Sequence, residues 1–173
     1  NVVENTTAVT TVSATDDVTD TVTYSISGGA DAASFTIDAY TGALSFVSAL
    51  DHDAPADADH DGVFDVVVRA SDGYLTDDQA LAVTVTNVNE APALTGAQAT
   101  LANGTEDNGY TVSLAQLVTG FTDVDGDTLS VANLSASNGA ITDNLDGTYT
   151  ITPSANYNGA VTLSYDVIDG NGG

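Results

Sequence analysis

The residues best suited to chemistry are short acids and amides set at turns. The stretch DHDAPADADHDG, residues 51–62, contains Asp57-x-Asp59-x-Asp61-Gly62. This is the first half of a D-x-D-x-D-G loop, in which alternate carboxylates turn inward and glycine permits the bend. The Glu usual at the twelfth position is replaced by Val68, in a predicted strand, so Asp65 at the ninth position is expected to complete a metal site. A second set is dispersed: Glu4, Asp51 and Asp53 early in the chain, Asn87, Asn89 and Glu90 within NVNEAP (87–92), and Asp123, Asp125 and Asp169 later. All but Glu4 fall at predicted strand ends or in loops. If two halves of the chain stack, these segments can converge, and Ca2+ accepts about six to eight oxygen ligands in a flexible geometry. Without a cation the same carboxylates repel one another. The plain alternative is a set of solvated acidic loops. His52 and His60 flank the acids and raise zinc or general-base chemistry. Cysteine is absent and oxygen donors dominate, so both are read as exposed loop residues.

The elements that must position these groups are strands. In VFDVVVRAS, Phe64, Val66, Val68 and Ala70 share one face and Asp65, Arg69 and Ser71 the other. Leu81, Val83 and Val85 share a face, as do Val161, Leu163, Tyr165 and Val167. Alternation with a period of two marks a strand with one face on a core. Gly-Gly at 28–29, and glycine with Asp, Asn or Thr at 41–42, 72–73, 138–139 and 146–147, punctuate the chain, as turns between short strands do. One helical turn is expected at 113–117. The tyrosines mostly fall at strand positions and read as packing residues; Tyr40 and Tyr74 fall at turns and are the exposed candidates for recognition. Many short strands with this punctuation indicate β-sandwiches.

Composition narrows the function. Twenty-five acidic residues face a single basic one, Arg69, for a formal charge of −24. Nucleic acid and membrane insertion are excluded as partners, because phosphate surfaces demand Lys and Arg and no apolar run is long enough to span a bilayer. A hydrophobic share of 42% in alternating order argues against a disordered acidic tail. Asp outnumbers Glu and clusters with Gly and Asn, which suits a tight cation cage better than general solubility. With no cysteine, any staple must be something other than sulfur. No G-x-S-x-G occurs and no Trp is available for a sugar platform, so the chain is read as not an enzyme. It is expected to be an internal piece of a longer protein.

The chain also echoes itself. TDDVTDTVT (15–23) aligns without gaps to TDVDGDTLS (122–130), ASDG (70–73) to VIDG (167–170), and Glu4-Asn5 to Glu106-Asp107. Two related units are therefore expected, 1–88 and 89–173, joined at NVNEAP. The motif order resembles tandem cadherin-like repeats of large bacterial surface proteins and adhesins. LDHD (50–53) resembles the LDRE signature of that family, RASDG (69–73) its A-x-D motif, NVNEAP its inter-repeat linker, and FTDVDGDTL (121–129) the D-x-D of the next repeat. Asn87 and Glu90 stand where the family linker has Asp, and SANYNG (154–159) replaces the LDRE-like stretch in the second unit.

The resemblance implies an all-β chain of two Greek-key, cadherin- or Ig-like β-sandwiches in tandem, the first with an incomplete opening strand and the second without its last. It implies Ca2+ at the junction, with Glu4, Asp51, Asp53, Asn87, Asn89, Glu90, Asp123, Asp125 and Asp169 as ligands. It implies a weaker site of Asp16, Asp20 and Asp72 toward a preceding repeat; Val18 stands at the second Asp of that D-x-D, and Asp17 is the substitute. The expected role is a calcium-rigidified extender of an extracellular, cell-surface or secreted adhesin, its partners being neighbouring repeats of the same chain. The alternative is a calcium-dependent module that binds a polysaccharide or a cell-surface protein.

Overall fold

The computed structural model describes residues 1–16 and 20–172. Two compact units result, Asn1–Val88 and Asn89–Gly173. The Asp17 and Val18 readings fall outside the described residues.

Among the described residues the first unit has seven strands: β1 (Val2–Val3), β2 (Ala8–Thr11), β3 (Thr23–Gly28), β4 (Phe35–Ile37), β5 (Ala43–Phe46), β6 (Val63–Ser71) and β7 (Thr76–Thr86). They form a four-stranded sheet in the order β1-β7-β6-β3 and a three-stranded sheet in the order β2-β5-β4. β6 and β7 make a long antiparallel hairpin, with Val63 opposite Thr84 and Ser71 opposite Thr76. The inward faces read from the alternation are the buried ones: Phe64, Val66 and Val68 on β6, Val83 and Val85 on β7. They share one core with Phe35, Leu44 and Phe46 of the other sheet, which makes the unit a sandwich. Phe46 is the hub. Its ring lies 4.7 Å from that of Phe35 and 5.3 Å, edge-on, from that of Phe64 across the two sheets. Such aromatic pairs add about 0.5–1.5 kcal/mol beyond area burial.

The lone basic residue is spent on this hairpin. Arg69 faces Asp78 across β6 and β7, and Nε and a terminal nitrogen reach the two carboxylate oxygens at 2.8 and 2.7 Å. The bonds hold Asp78 below the usual carboxylate range and push Arg69 up.

Two strands of this unit matter most for the acids. β1 runs parallel to β7, pairing Val2 with Val85 and Val3 with Thr86. That pairing delivers Glu4 to the end of the longest strand. β5 and β6 are separated by the irregular segment 47–62, which carries the D-x-D-x-D loop. Long irregular connections inside compact domains are uncommon and usually serve function.

The second unit holds β8 (Ala93–Leu94), β9 (Tyr110–Ser113), a single helical turn α1 (Leu114–Leu117), β10 (Phe121–Thr122), β11 (Ser130–Ala136), β12 (Gly139–Asp143), β13 (Thr148–Pro153) and β14 (Leu163–Ile168). The sheets are β12-β13-β9, β11-β14 and the short ribbon β8-β10. The expected helical turn begins with a reciprocal cap: the Ser113 hydroxyl accepts from the Gln116 amide while the Gln116 side chain accepts from the Ser113 amide. Val112, Leu117 and Ile151 are the buried core here, flanked by half-buried Val131, Leu134, Ile141, Leu163 and Tyr165 from both larger sheets. The Tyr165 hydroxyl donates to the Leu117 carbonyl at 3.0 Å, tying β14 to the helical turn.

Candidate metal centre

Four acid groups can be followed from their elements. The first lies where β7 leaves the first unit. The Glu4 amide donates to the Thr86 carbonyl and the Asn5 amide to the Leu50 carbonyl, so residues 4 and 5 bridge the end of β7 and the loop at 50–53. Glu4 is only 2% exposed. Its Oε1 accepts from the Val88 amide at 2.6 Å and its Oε2 from the His52 amide at 2.8 Å. The Asp51 Oδ1 accepts from the Asp53 amide at 2.9 Å, turning the loop back on itself. One carboxylate oxygen from each of Glu4, Asp51 and Asp53 lies within 4.8 Å of the others. A pair of like charges about 4 Å apart near a protein surface repels by about 4 kcal/mol. His52 is exposed, and its Nδ1 lies 3.0 Å from the Val85 carbonyl. Asn87 is exposed.

The second group opens the second unit. Asp123, Asp125 and Asp127 alternate through a turn at Gly126, whose φ of +78° is a left-handed conformation natural to glycine. One carboxylate oxygen of each lies within 4.8 Å of the others. Asp123 Oδ1 accepts from the Asp127 amide at 3.2 Å; its Oδ2 is buried with no hydrogen-bond partner among the described residues. The Asp125 Oδ2 accepts from the Glu90 amide at 2.9 Å. Asn89 donates from Nδ2 to Asp169 Oδ2 at 2.7 Å. Asp169 is buried, and its other oxygen accepts from the amides of Asn171 and Gly172. Asn171 donates in turn to Asp127 Oδ2 at 2.7 Å. Asn89, Glu90, Asp125, Asp127, Asp169 and Asn171 thus form one connected network.

Asp127 and Asn171 belong to this group, although the sequence reading left them out. The signal for Asp127 was present, because 123, 125 and 127 repeat the alternation of 57, 59 and 61. Asn171 follows the Asp-Gly turn and carried no comparable mark.

The third group is the loop Asp57–Gly62. Asp57 is 1% exposed, and its Oδ2 accepts from the amides of Asp61 at 2.7 Å and Gly62 at 3.3 Å. Asp59 and Asp61 are exposed, and the three carboxylates each offer one oxygen within 4.8 Å of the others. Burial acts to raise the Asp57 carboxyl, but the backbone amides of Asp57, Asp61 and Gly62 and the His60 charge outweigh it and hold it below the usual range. Asp59 moves the other way, raised first by the charge of Asp61, then by burial and by Asp57. Asp65 does not join this group. It lies exposed on β6, with its amide donating to Asp31.

Asp31, which the sequence reading missed, is the anchor. It is buried, and its two oxygens accept from the amides of Ala58 at 2.7 Å and Asp65 at 2.8 Å. Its own amide donates to the Asp65 carbonyl. Gly29 makes that approach possible: at φ +109° a Cβ there would sit 2.4 Å from the Asp65 carbonyl oxygen.

The fourth group, Asp16 with Asp72, is smaller. Asp72 Oδ1 accepts from the amides of Tyr74 and Leu75, both at 2.7 Å. Those bonds, with a weaker one from Asp16, hold its carboxyl below the usual range. Among the described residues, no group of three acids includes Asp16, Asp20 or Asp72. Tyr40 and Tyr74 are exposed on their turns, each with its amide held by an aspartate two residues earlier, Asp38 and Asp72.

The donor set suits a hard cation. Every group is built on carboxylates, the ligands calcium takes. The buried, unpartnered Oδ2 of Asp123 is the kind of atom such an ion would satisfy.

Two units built almost wholly of strands, each with acids gathered at its own turns, define a class of all-β tandem repeats. Residues 88–173 match the family model for the cadherin-like domain. That match spans the second unit in full. Among solved structures, the chain resembles human protocadherin-24 EC1-2. One crystal form is 21% identical over 97% of this chain and 81% of that chain, with a TM-score of 0.58. Another is 18% identical over 97% and 91%, with a TM-score of 0.53. At such identities the likeness is one of fold. A short segment of 37 residues is 57% identical to halomucin of Haloquadratum walsbyi; it covers 21% of this chain and, to the nearest percent, 0% of halomucin. No helix among the described residues is long and apolar enough to cross a membrane.

Proposed function

We propose that the chain is a pair of calcium-stiffened extender repeats from a large bacterial cell-surface or secreted adhesin, without enzymatic activity, whose partners are the neighbouring repeats of its own chain. The observation that carries this reading is the grip of acids on the connecting backbone. Glu4 holds the Val88 amide within the first unit, while Asp125 holds the Glu90 amide and Asp169 the Asn89 side chain within the second. Residues 88, 89 and 90 are consecutive, so acids of either unit act on the same short length of chain.

In this reading Glu4, Asp51 and Asp53 supply oxygens from the first unit, and Asn87, Asn89, Glu90, Asp123, Asp125, Asp127 and Asp169 supply the rest. Calcium would neutralise these carboxylates and make bending of the linker cost ligands. The residues themselves do the positioning: β1 brings Glu4 to the end of β7, and Asp125, beside the turn at Gly126, accepts from the Glu90 amide. Extracellular calcium at millimolar levels suits weak sites of this kind. Support for a surface location comes from the cadherin-like match of the second unit and from the short likeness to halomucin. Ligand bound only to the ordered state also stabilises it, by RT ln(1 + [L]/Kd).

The test is a thermal melt of the chain in chelator, in millimolar calcium and in magnesium. A calcium-specific rise in Tm is expected. Equal melts in all three would remove the proposal.

A further inference from the structure

Beyond the linker, we propose that loop 57–62 of the first unit is a separate calcium site, with Asp57, Asp59 and Asp61 as carboxylate ligands. Its role is to staple the long β5–β6 connection of one repeat and not to join two repeats.

Three observations converge. The three carboxylates approach within 4.8 Å, oxygen to oxygen. Asp57 is 1% exposed, and while Oδ2 is committed to the amides of Asp61 and Gly62, Oδ1 is buried with no hydrogen-bond partner among the described residues. In this proposal Oδ1 is the oxygen that Asp57 offers to the ion. A buried carboxylate oxygen without a donor is costly and calls for an explanation; a cation facing Asp59 and Asp61 supplies one. Finally, the loop is preset. Asp31 pins its start at the Ala58 amide and β6 at the Asp65 amide, Gly62 bends at φ +78°, and Asp61 Oδ1 accepts from the Val63 amide at 2.8 Å. The ligands are thus placed before any ion arrives, which reduces the ordering cost of binding.

The donor chemistry selects the ion. Three clustered carboxylates on a bent loop match calcium, which tolerates irregular coordination. Magnesium demands near-ideal octahedral geometry and keeps its waters. Zinc favours His and Cys, and His60 is the sole such residue in the loop.

The experiment uses the whole two-unit chain and counts bound calcium by native mass spectrometry and calorimetry, for the wild type and for Asp59→Asn/Asp61→Asn. Both positions are exposed, and Asn at 61 keeps the oxygen that accepts from Val63, so folding should persist; circular dichroism checks it. The variant is expected to bind one calcium fewer. Calcium should slow amide exchange at residues 57–62 in the wild type and leave it unchanged in the variant. Equal calcium counts with equal exchange, or binding of zinc alone, would overturn the proposal. The variant leaves Glu4, Asp53 and Asp125 intact, so the calcium-dependent stiffening proposed for the linker is scored separately in the same samples.

Discussion

Glu4 and Val88 lie 84 residues apart in the chain, yet the Val88 amide donates to the Glu4 carboxylate at 2.6 Å. The second oxygen of the same buried carboxylate takes the His52 amide. One acid therefore closes the first unit on itself at its last residue. The parallel pairing of β1 on β7 makes this possible, because it carries the start of the chain to the end of the longest strand.

Replacing Glu4 by Ala removes two charge-assisted hydrogen bonds, each worth about 1.5–3 kcal/mol. The expected loss is about 3 kcal/mol in chelator, read by denaturant unfolding. In calcium the loss should be larger, because a ligand disappears as well. An equal loss in both conditions would separate Glu4 from metal binding and leave it as a structural clasp only.

Asp123 behaves differently, because only one of its oxygens has a donor. Asp123→Asn is expected to leave stability in chelator nearly unchanged and to weaken calcium binding by about tenfold or more, since ligand charge tunes such sites over decades of affinity. Calorimetric titration measures it.

The pH response in chelator follows from the directions of the carboxyl shifts. Asp38, Asp72 and Asp78 are held low, by backbone amides in the first two and by Arg69 in the third. A lowered folded value gives stability that is present above the unfolded value of 3.8 and lost as pH falls through the folded value. Urea melts should therefore show stability falling as pH drops below about 4. Asp59 has the opposite sign. Its raised value gives stability that is fully present below 3.8 and lost as pH rises through the folded value. Asp59→Asn should thus stabilise the calcium-free chain at pH 7 and have little effect at pH 3.

Arg69 provides the contrast. Its ion pair with Asp78 is 42% exposed on each side, and solvent screens exposed pairs strongly. Arg69→Gln should lower stability only slightly, with an effect that shrinks in salt and no change in calcium binding.

Much of this was legible from residue order. The alternation in β6 and β7 named Phe64, Val66, Val68, Val83 and Val85, and all five are buried. The helical turn expected at 113–117 is α1, and the structure adds Ser113 as its N-cap. What stayed hidden was long-range. A two-residue strand such as β1 carries no period, so the route by which Glu4 meets Val88 was not readable. Asp31 sits in GGADAAS, which reads as a simple turn, and only folding places its carboxylate between Ala58 and Asp65. The same fact explains Asp65. Counting along the loop put it at a ligand position, but the strand register of β6 turns it to the exposed face.

The central claim is that calcium stiffens the chain around Val88–Glu90. Small-angle scattering of the intact chain in millimolar calcium, in chelator and in magnesium tests it most directly, with Asp125→Asn as the matched variant. The account predicts a narrow distribution of maximum dimensions in calcium alone, broadening in chelator, in magnesium and in the variant. Identical scattering under all conditions would contradict it and leave the acids as a charged surface on two ordinary β-sandwiches.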